Sequence, residues 1–243
     1  MTTLVKVSIA MLLALFLSSC GFDINLGDFG SGKKGNGVVV EENRKVTGDF
    51  TAVYASEGLD VYVTQDDEFK ISVEADENII DLIGTDIKNG KLRIHAIENI
   101  GRATKKVFVS LPEVTTLETS SGAHLTAQNV IESNELSIES SSGSILNAEV
   151  MANELELDAS SGANIEVSGK AVEVYVDGSS GANIRAKNLE AKKCRAEGSS
   201  GSNISVNVSE TLTADASSGA NISYLGDATV KKNKSVSGSV HKY

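Results

Sequence analysis

Asp158-Ala159-Ser160-Ser161-Gly162-Ala163-Asn164-Ile165 is one of six copies of a single short motif, and its recurrence decides the fold. The others are Glu118-Thr119-Ser120-Ser121-Gly122-Ala123-His124-Leu125, Glu139-Ser140-Ser141-Ser142-Gly143-Ser144-Ile145-Leu146 and Asp177-Gly178-Ser179-Ser180-Gly181-Ala182-Asn183-Ile184, followed by Glu197 to Ile204 and Asp215 to Ile222. Successive motif glycines (122, 143, 162, 181, 201 and 219) stand 18 to 21 residues apart. A period of this size that drifts by a residue or two belongs to stacked coils that absorb small insertions in their loops.

Counting from each glycine resolves the coil. Seven residues before it stand Thr115, Leu136, Leu155, Val174, Cys194 and Leu212; five before it stand Leu117, Ile138, Leu157, Val176, Ala196 and Ala214. Three after it come Leu125, Leu146, Ile165, Ile184, Ile204 and Ile222, and five after it Ala127, Ala148, Val167, Ala186, Val206 and Tyr224. Within each arm these positions share one parity, so they face one side and stack into apolar ladders. Ser-Ser-Gly turns the corner between the arms, because glycine permits the backbone geometry and serine hydroxyls bond nearby backbone groups. The pattern predicts an all-β fold: a parallel, right-handed β-helix of about 19-residue coils spaced about 4.8 Å apart.

Two outward columns are candidates for function. The acidic residue four before each glycine is present in every motif: Glu118, Glu139, Asp158, Asp177, Glu197 and Asp215. Carboxylates about 4.8 Å apart repel by roughly 0.9 kcal/mol per pair even in water. Either splayed, solvated side chains or bridging divalent cations relieve this, and calcium is the cation whose oxygen chemistry suits such a column. The second column, two after the glycine, holds Asn164, Asn183, Asn203 and Asn221, preceded by His124 and Ile145. Stacked amides hydrogen-bond from strand to strand, so this column is expected to be a structural ladder. His95 and His241 lie far from His124 in sequence, and no spacing resembles a metal or nucleophile motif, so no catalytic residue is assigned.

Upstream, residues 38–112 keep strand alternation but lose the motif. Leu59 to Val63, Lys70 to Glu74 and Lys106 to Leu111 read as strands, and Asn89-Gly90 inside Ile87 to Ile94 as a tight hairpin turn. This stretch reads as degenerate coils with a hairpin, in which Asp76 to Ile83 forms a short helix or a packed loop. The regular coils run over 113–225. Residues 226–243, with Lys231, Lys232 and Lys234, read as a basic terminal coil that caps the exposed strand edge.

Residues 1–19 carry Lys6 and an apolar run too short to span a bilayer, ending in Leu17-Ser18-Ser19-Cys20. That ending resembles a bacterial lipobox, which makes Cys20 the expected lipid attachment and the membrane the first partner. Residues 20–37, with six glycines in Gly21 to Gly37, read as a flexible tether. Cys194 is then the remaining cysteine, and its place in an apolar column makes it a small core residue. The net charge is −11, and losing Lys6 with the signal makes the mature chain more acidic still. Such acidity argues against nucleic acid as a partner. Tryptophan is absent and aromatics make up 5%, which weakens a sugar-stacking groove.

Taken with the lead-in Arg44 to Val53, the segment Glu57 to Gln65, the Asn89-Gly90 hairpin, Ser110-Leu111-Pro112 and the Ser-Ser-Gly series, the chain resembles the head GIN domain family. That family carries an autotransporter-adhesin label and is typical of Bacteroidetes lipoproteins. The resemblance runs from about Val38 to the C-terminus. It implies a β-helix in the cell envelope, as an outer-membrane lipoprotein facing the periplasm or the cell surface, and brings no site residues with it. The reading is a non-enzymatic, lipid-anchored protein whose β-helix meets an envelope or extracellular protein or glycan, with no cofactor unless calcium binds. A glycan-binding or polysaccharide-degrading β-helix is the first alternative and a purely structural envelope component the second. Oligomeric state leaves no mark on the sequence.

Overall fold

The computed structural model describes residues 32–232 and 237–243; Cys20, its lipobox and most of the expected tether lie outside the described residues. In chain order the strands are β1 (Val39–Arg44), β2 (Ala52–Ala55), β3 (Asp60–Gln65), β4 (Lys70–Asp76), β5 (Ile83–Lys88) and β6 (Lys91–Ala96). They continue as β7 (Lys105–Leu111), β8 (Thr116–Thr119), β9 (His124–Ala127), β10 (Ile131–Ser140), β11 (Ile145–Ala159) and β12 (Asn164–Gly178). The last five are β13 (Asn183–Gly198), β14 (Asn203–Ala216), β15 (Asn221–Leu225), β16 (Thr229–Lys232) and β17 (Ser239–Lys242). Among the described residues the one helical element is a 3-10 turn at Ile80–Leu82, inside the stretch expected to be a short helix or packed loop.

From β8 onward the architecture is the expected parallel β-solenoid. β11 to β14 each start after one Ser-Ser-Gly corner and run through the return to the next. β10 pairs in parallel with β11, β11 with β12, β12 with β13 and β13 with β14. Motif aligns on motif: Asp158 faces Asp177, and Ile165 faces Ile184. The drift in period is taken up at the return, where the register slips between Glu166 and Ser168 of β12 and again between Ala186 and Glu190 of β13. The arms on either side stay in step.

The corner is tighter than its sequence discloses. At all six motifs the second serine as well as the glycine has positive φ, 47° to 52° for Ser121, Ser142, Ser161, Ser180, Ser200 and Ser218, and 71° to 79° for the glycines. Two consecutive left-handed residues closed by an i to i+3 bond, such as Ala163 N–H to Ser160 O at 3.1 Å, have the positive-φ pattern of a type I′ turn. Each corner glycine then donates to the next coil, as Gly162 N–H does to Ser180 O at 3.1 Å. Inside the corner only small residues fit. Thr119, Ser140, Ala159, Gly178, Gly198 and Ala216 form one buried column there, and Ala123, Ser144, Ala163, Ala182, Ser202 and Ala220 another. Where hydroxyls fall in these columns they satisfy one another: Thr119, Ser140 and Ser144 form a closed set at 2.9 to 3.0 Å.

The apolar ladders face inward as expected. Leu117, Ile138, Leu157, Val176, Ala196 and Ala214 are completely buried, and the column from Leu125 to Ile222 is at most 2% exposed. Cys194 stacks between Val174 and Leu212 in the same core.

The N-terminal region departs from a succession of degenerate coils. β2 and β3 form a true coil with its own corner, Ser56-Glu57-Gly58, where Glu57 and Gly58 have φ of 59° and 67° and Gly58 N–H donates to Ser121 O. That coil lies between β8 and β9 on one side and β6 and β7 on the other. The chain therefore leaves the stack after β3, builds the end layer, and crosses back to continue. β4 runs antiparallel to β7, β1 antiparallel to β4, and β5 antiparallel to β6 through the Asn89-Gly90 turn. These reversals lay a cover over the core, since a stack that kept winding would leave its last apolar layer open. Phe50, Leu59, Ile71 and Ile79 are buried beneath it.

The described part of the segment read as a tether, residues 32–37, is held against the cover. Lys33 bridges to Ile100, and Gly37 N–H and Thr104 N–H both donate to the carboxylate of Asp76, which is 3% exposed. Two backbone donors compensate that buried charge and bind the incoming segment to the cover.

Candidate functional site

The acidic column lies on the outer face of the arm that precedes each corner, in direct register from Glu118 on β8 to Asp215 on β14. Two places on this line carry cations, its first residue and its fifth. Lys91 Nζ reaches across Ala52 to both oxygens of Glu118 at 2.7 and 2.8 Å, and Arg195 pairs with Glu197. Between them Glu139, Asp158 and Asp177 have no ion-pair partner among the described residues. Partial burial, then the neighbouring carboxylate, pushes each of these three above its ordinary range: Glu118 acts on Glu139, Asp177 on Asp158 and Glu197 on Asp177. Among the described residues no group of three or more His, Cys, Asp or Glu side chains is arranged to hold a metal ion.

Two further columns on this face escaped the sequence reading. Six before the glycine stand Thr116, Ser137, Glu156, Tyr175, Arg195 and Thr213, and two residues earlier on the same arm stand Glu135, Glu154, Glu173, Lys193 and Thr211. Together they line a shallow open groove of about 780 Å3, acidic over β10 to β12 and basic where β13 brings Lys193 and Arg195. Lys193 pairs with Glu173 across one coil at 2.7 Å. The signal for this groove was available as fixed offsets from each glycine, but its residue types vary too much to mark a column. A second open groove, about 1000 Å3, follows the returns and includes Met151, which is 53% exposed.

On the other arm the asparagine column forms in part. Asn183 donates to Asn164 and Asn203 donates to Asn183, both at 3.3 Å, while Asn164 turns to Gly162 O. His124, in the same column, lies 3.4 Å from Asp60 of the preceding coil and is remote from the acidic column. Tyr62 and Phe108 stack on this arm with centroids 5.1 Å apart, an aromatic pair on the outside of the cover. Cys194 has its thiol pushed up to about 12 by burial, so it is no nucleophile at neutral pH. His95 contacts Asp86 in the cover hairpin, and His241 lies on β17; the three histidines do not converge. Among the described residues no helix is long and apolar enough to cross a membrane.

The fold recurs in solved structures. A putative adhesin from Bacteroides fragilis superposes with a TM-score of 0.79 at 19% identity, covering 87% of this chain and 100% of its own. A putative lipid binding protein from Parabacteroides distasonis gives 0.72 at 21% identity, covering 86% and 98%. A putative adhesin from Parabacteroides merdae gives 0.70 at 18%, also covering 86% and 98%. At these identities the likeness is one of fold. No curated protein sequence matches the chain significantly. A family profile described as "Putative auto-transporter adhesin, head GIN domain" matches residues 49–228, the whole span from the β2 lead-in to the last regular coil. The chain belongs to the head GIN family.

Proposed function

We propose that the protein is a non-enzymatic, lipid-anchored component of the cell envelope whose solenoid binds an extended partner, protein or glycan, along its outer faces. The observation that carries this reading is the repetition itself. Six coils repeat the acidic column in register and four of them the asparagine column, so a long partner meets a series of like contacts along the solenoid. The lipobox ending in Cys20 supports the anchor, and the family's adhesin description supports a contact role.

Protease shaving of intact cells tests where the head stands. Release of the solenoid, together with reduced attachment in a deletion strain, is the expected result. Full protection from protease would make the partner a periplasmic one. Turnover of a polysaccharide by the purified chain would overturn the non-enzymatic reading in favour of a glycan-degrading β-helix.

A further inference from the structure

We infer that one corner of the N-terminal cover, around Val38, Val39 and Ile97, rests on the lipid surface that holds Cys20, so that the solenoid stands on the membrane by this end. The inference builds on the lipid-anchored reading above. Six large apolar side chains are exposed among the described residues, and three of them, Val38, Val39 and Ile97, belong to this corner at 53%, 47% and 60% exposure. Hydrogen bonds knit it into one surface. Glu77 N–H donates to Val38 O and Ile97 N–H to Leu82 O, both at 2.8 Å, and the 3-10 turn at Ile80–Leu82 joins the two sides. The Asn78 side chain donates to Lys34 O at 2.8 Å and accepts from Asn36 N–H at 2.9 Å. Lys33 to Gly35 run beside Asn99 to Arg102, with Lys33 N–H bonded to Asn99 O and Gly35 N–H to Arg102 O.

Chain length selects this end. Cys20 stands twelve residues before Gly32, a stretch that spans at most about 40 Å. From β1 to β17 there are ten strand-to-strand steps, or about 48 Å. An inverted solenoid would therefore hold Gly32 farther from the membrane than those residues reach. Charge selects the same corner. Lys33, Lys34 and Arg102 are exposed beside Glu77, Asp81 and Glu98, which leaves it close to neutral in a chain of net charge −11. Along the sides of the solenoid the exposed apolar groups are isolated: Met151 shares its column with Glu132, Lys170 and Glu190, and Phe108 stacks on Tyr62. Laying a side on the membrane would press such charges, or the acidic column, against lipid and strip their water. The neutral corner instead settles into the headgroup layer, its aliphatic groups inward and its lysine and arginine heads at the phosphates. Three side chains are too few to hold a free protein; the anchor supplies the local concentration and the corner supplies the orientation. This stance leaves the outward columns open along their length to an extended partner.

Fluorescence on vesicles tests this with the chain from residue 20 onward, in which Cys20→Ser and an N-terminal polyhistidine tag replace the lipid; Cys194 is buried and takes no label. The chain is held on phosphatidylcholine vesicles through a nickel-chelating lipid. An environment-sensitive dye on Asn99→Cys, an exposed position beside the patch, is expected to shift to the blue and to be quenched by spin-labelled lipid. The same dye on Met151→Cys is expected to stay in water. Val38→Ser, Val39→Ser and Ile97→Ser together should abolish the shift at Asn99→Cys, with the melting temperature unchanged and the vesicles still loaded; a shift that survives would take the contact away from these side chains and overturn the proposal. A dye at Asn99→Cys that stays in water would overturn it as well. So would equal quenching at Met151→Cys, which lays the solenoid on its side, and a dye already shifted before vesicles are added, which means that protein covers the patch. Because the tag stands in for the lipid, the dye reports the contact whether or not Cys20 is acylated. Acylation is read separately in cells, from labelled palmitate carried by the wild-type chain and lost in Cys20→Ser, and its absence would end the anchor reading alone.

Discussion

The regular coils and the N-terminal cover bury equally complete cores by different means. In the coils each strand stacks on its sequence neighbour about one period away, so one local rule is reused: Asp158 finds Glu139 and Asp177. In the cover, Ala52 pairs with Lys91 on one side and Thr116 on the other, partners 39 and 64 residues distant. The first mode spreads stability over many similar interfaces between neighbouring coils. The second concentrates it in individual contacts that occur once. The buried Asp76, receiving Gly37 and Thr104, is such a contact.

That contrast can be broken most severely from inside the coils. Leu157 is completely buried in the central ladder, and Leu157→Ala is expected to cost about 2 to 5 kcal/mol, read as a lowered urea midpoint. Asp76→Ala strikes the cover instead. It leaves the partly buried Thr104 amide without its acceptor, while the exposed Gly37 amide turns to water, at about 1 to 3 kcal/mol in all. The two losses should differ in kind. Removing Asp76 is expected to open residues 32–44 to proteolysis while the coils keep their hydrogen-exchange protection; removing Leu157 should weaken protection in the coils themselves. If both variants lost protection uniformly, cover and coils would be one cooperative unit and the distinction would fall.

The same contrast governs what could be read from the sequence. The parallel stack, the inward ladders and the corner positions were legible because a period reports its own register: Ile165 above Ile184 follows from counting. Individual strands in the cover were legible too, since alternation and the Asn89-Gly90 turn are local signals. Their order in space was not, because nothing in β2 announces that β6 and β8 will lie on either side of it. The coil at Ser56-Glu57-Gly58 was missed for a narrower reason: its corner keeps the backbone geometry but replaces the second serine by glutamate. The acidic column was plain from repetition, but its end pairing was not, because Lys91 reaches Glu118 only through the crossed-over chain.

A smaller effect separates the corner from the core. No atom lies within 4 Å of where a Cβ on Gly162 would point, so Gly162→Ala tests backbone geometry alone. At φ of 73° the change is expected to cost about 1 to 2 kcal/mol in the thermal or urea midpoint. Ser161 already bears part of that strain at φ of 51°, and Ser161→Asn is expected to stabilise by about 0.5 kcal/mol, since asparagine tolerates the left-handed region better. A destabilised Ser161→Asn would mean that the serine hydroxyl contributes more than the backbone relief.

The smallest expected effect lies on the acidic column and is read as a slope. Burial and like-charged neighbours raise the carboxyls of Glu139, Asp158 and Asp177 above their unfolded values. Between the unfolded and folded pKa the native chain holds more protons than the unfolded one, so stability falls as pH rises through that window. These three groups therefore oppose folding at neutral pH and cease to do so on mild acidification. The opposite sign holds for a carboxylate stabilised by a cation, which loses its contribution as it is protonated. The melting temperature is expected to rise as pH falls from neutrality into the range just above the ordinary carboxylate values, before paired carboxylates begin to titrate. Asp158→Asn, which removes the middle charge, should raise the melting temperature at pH 7 and flatten the slope; an unchanged slope would place the pH dependence elsewhere in the chain. Added calcium at pH 7 reads the same column. Solvated, splayed carboxylates leave the melting temperature where it was, which is the expected result, whereas a rise that Asp158→Asn abolishes would show cations bridging the coils.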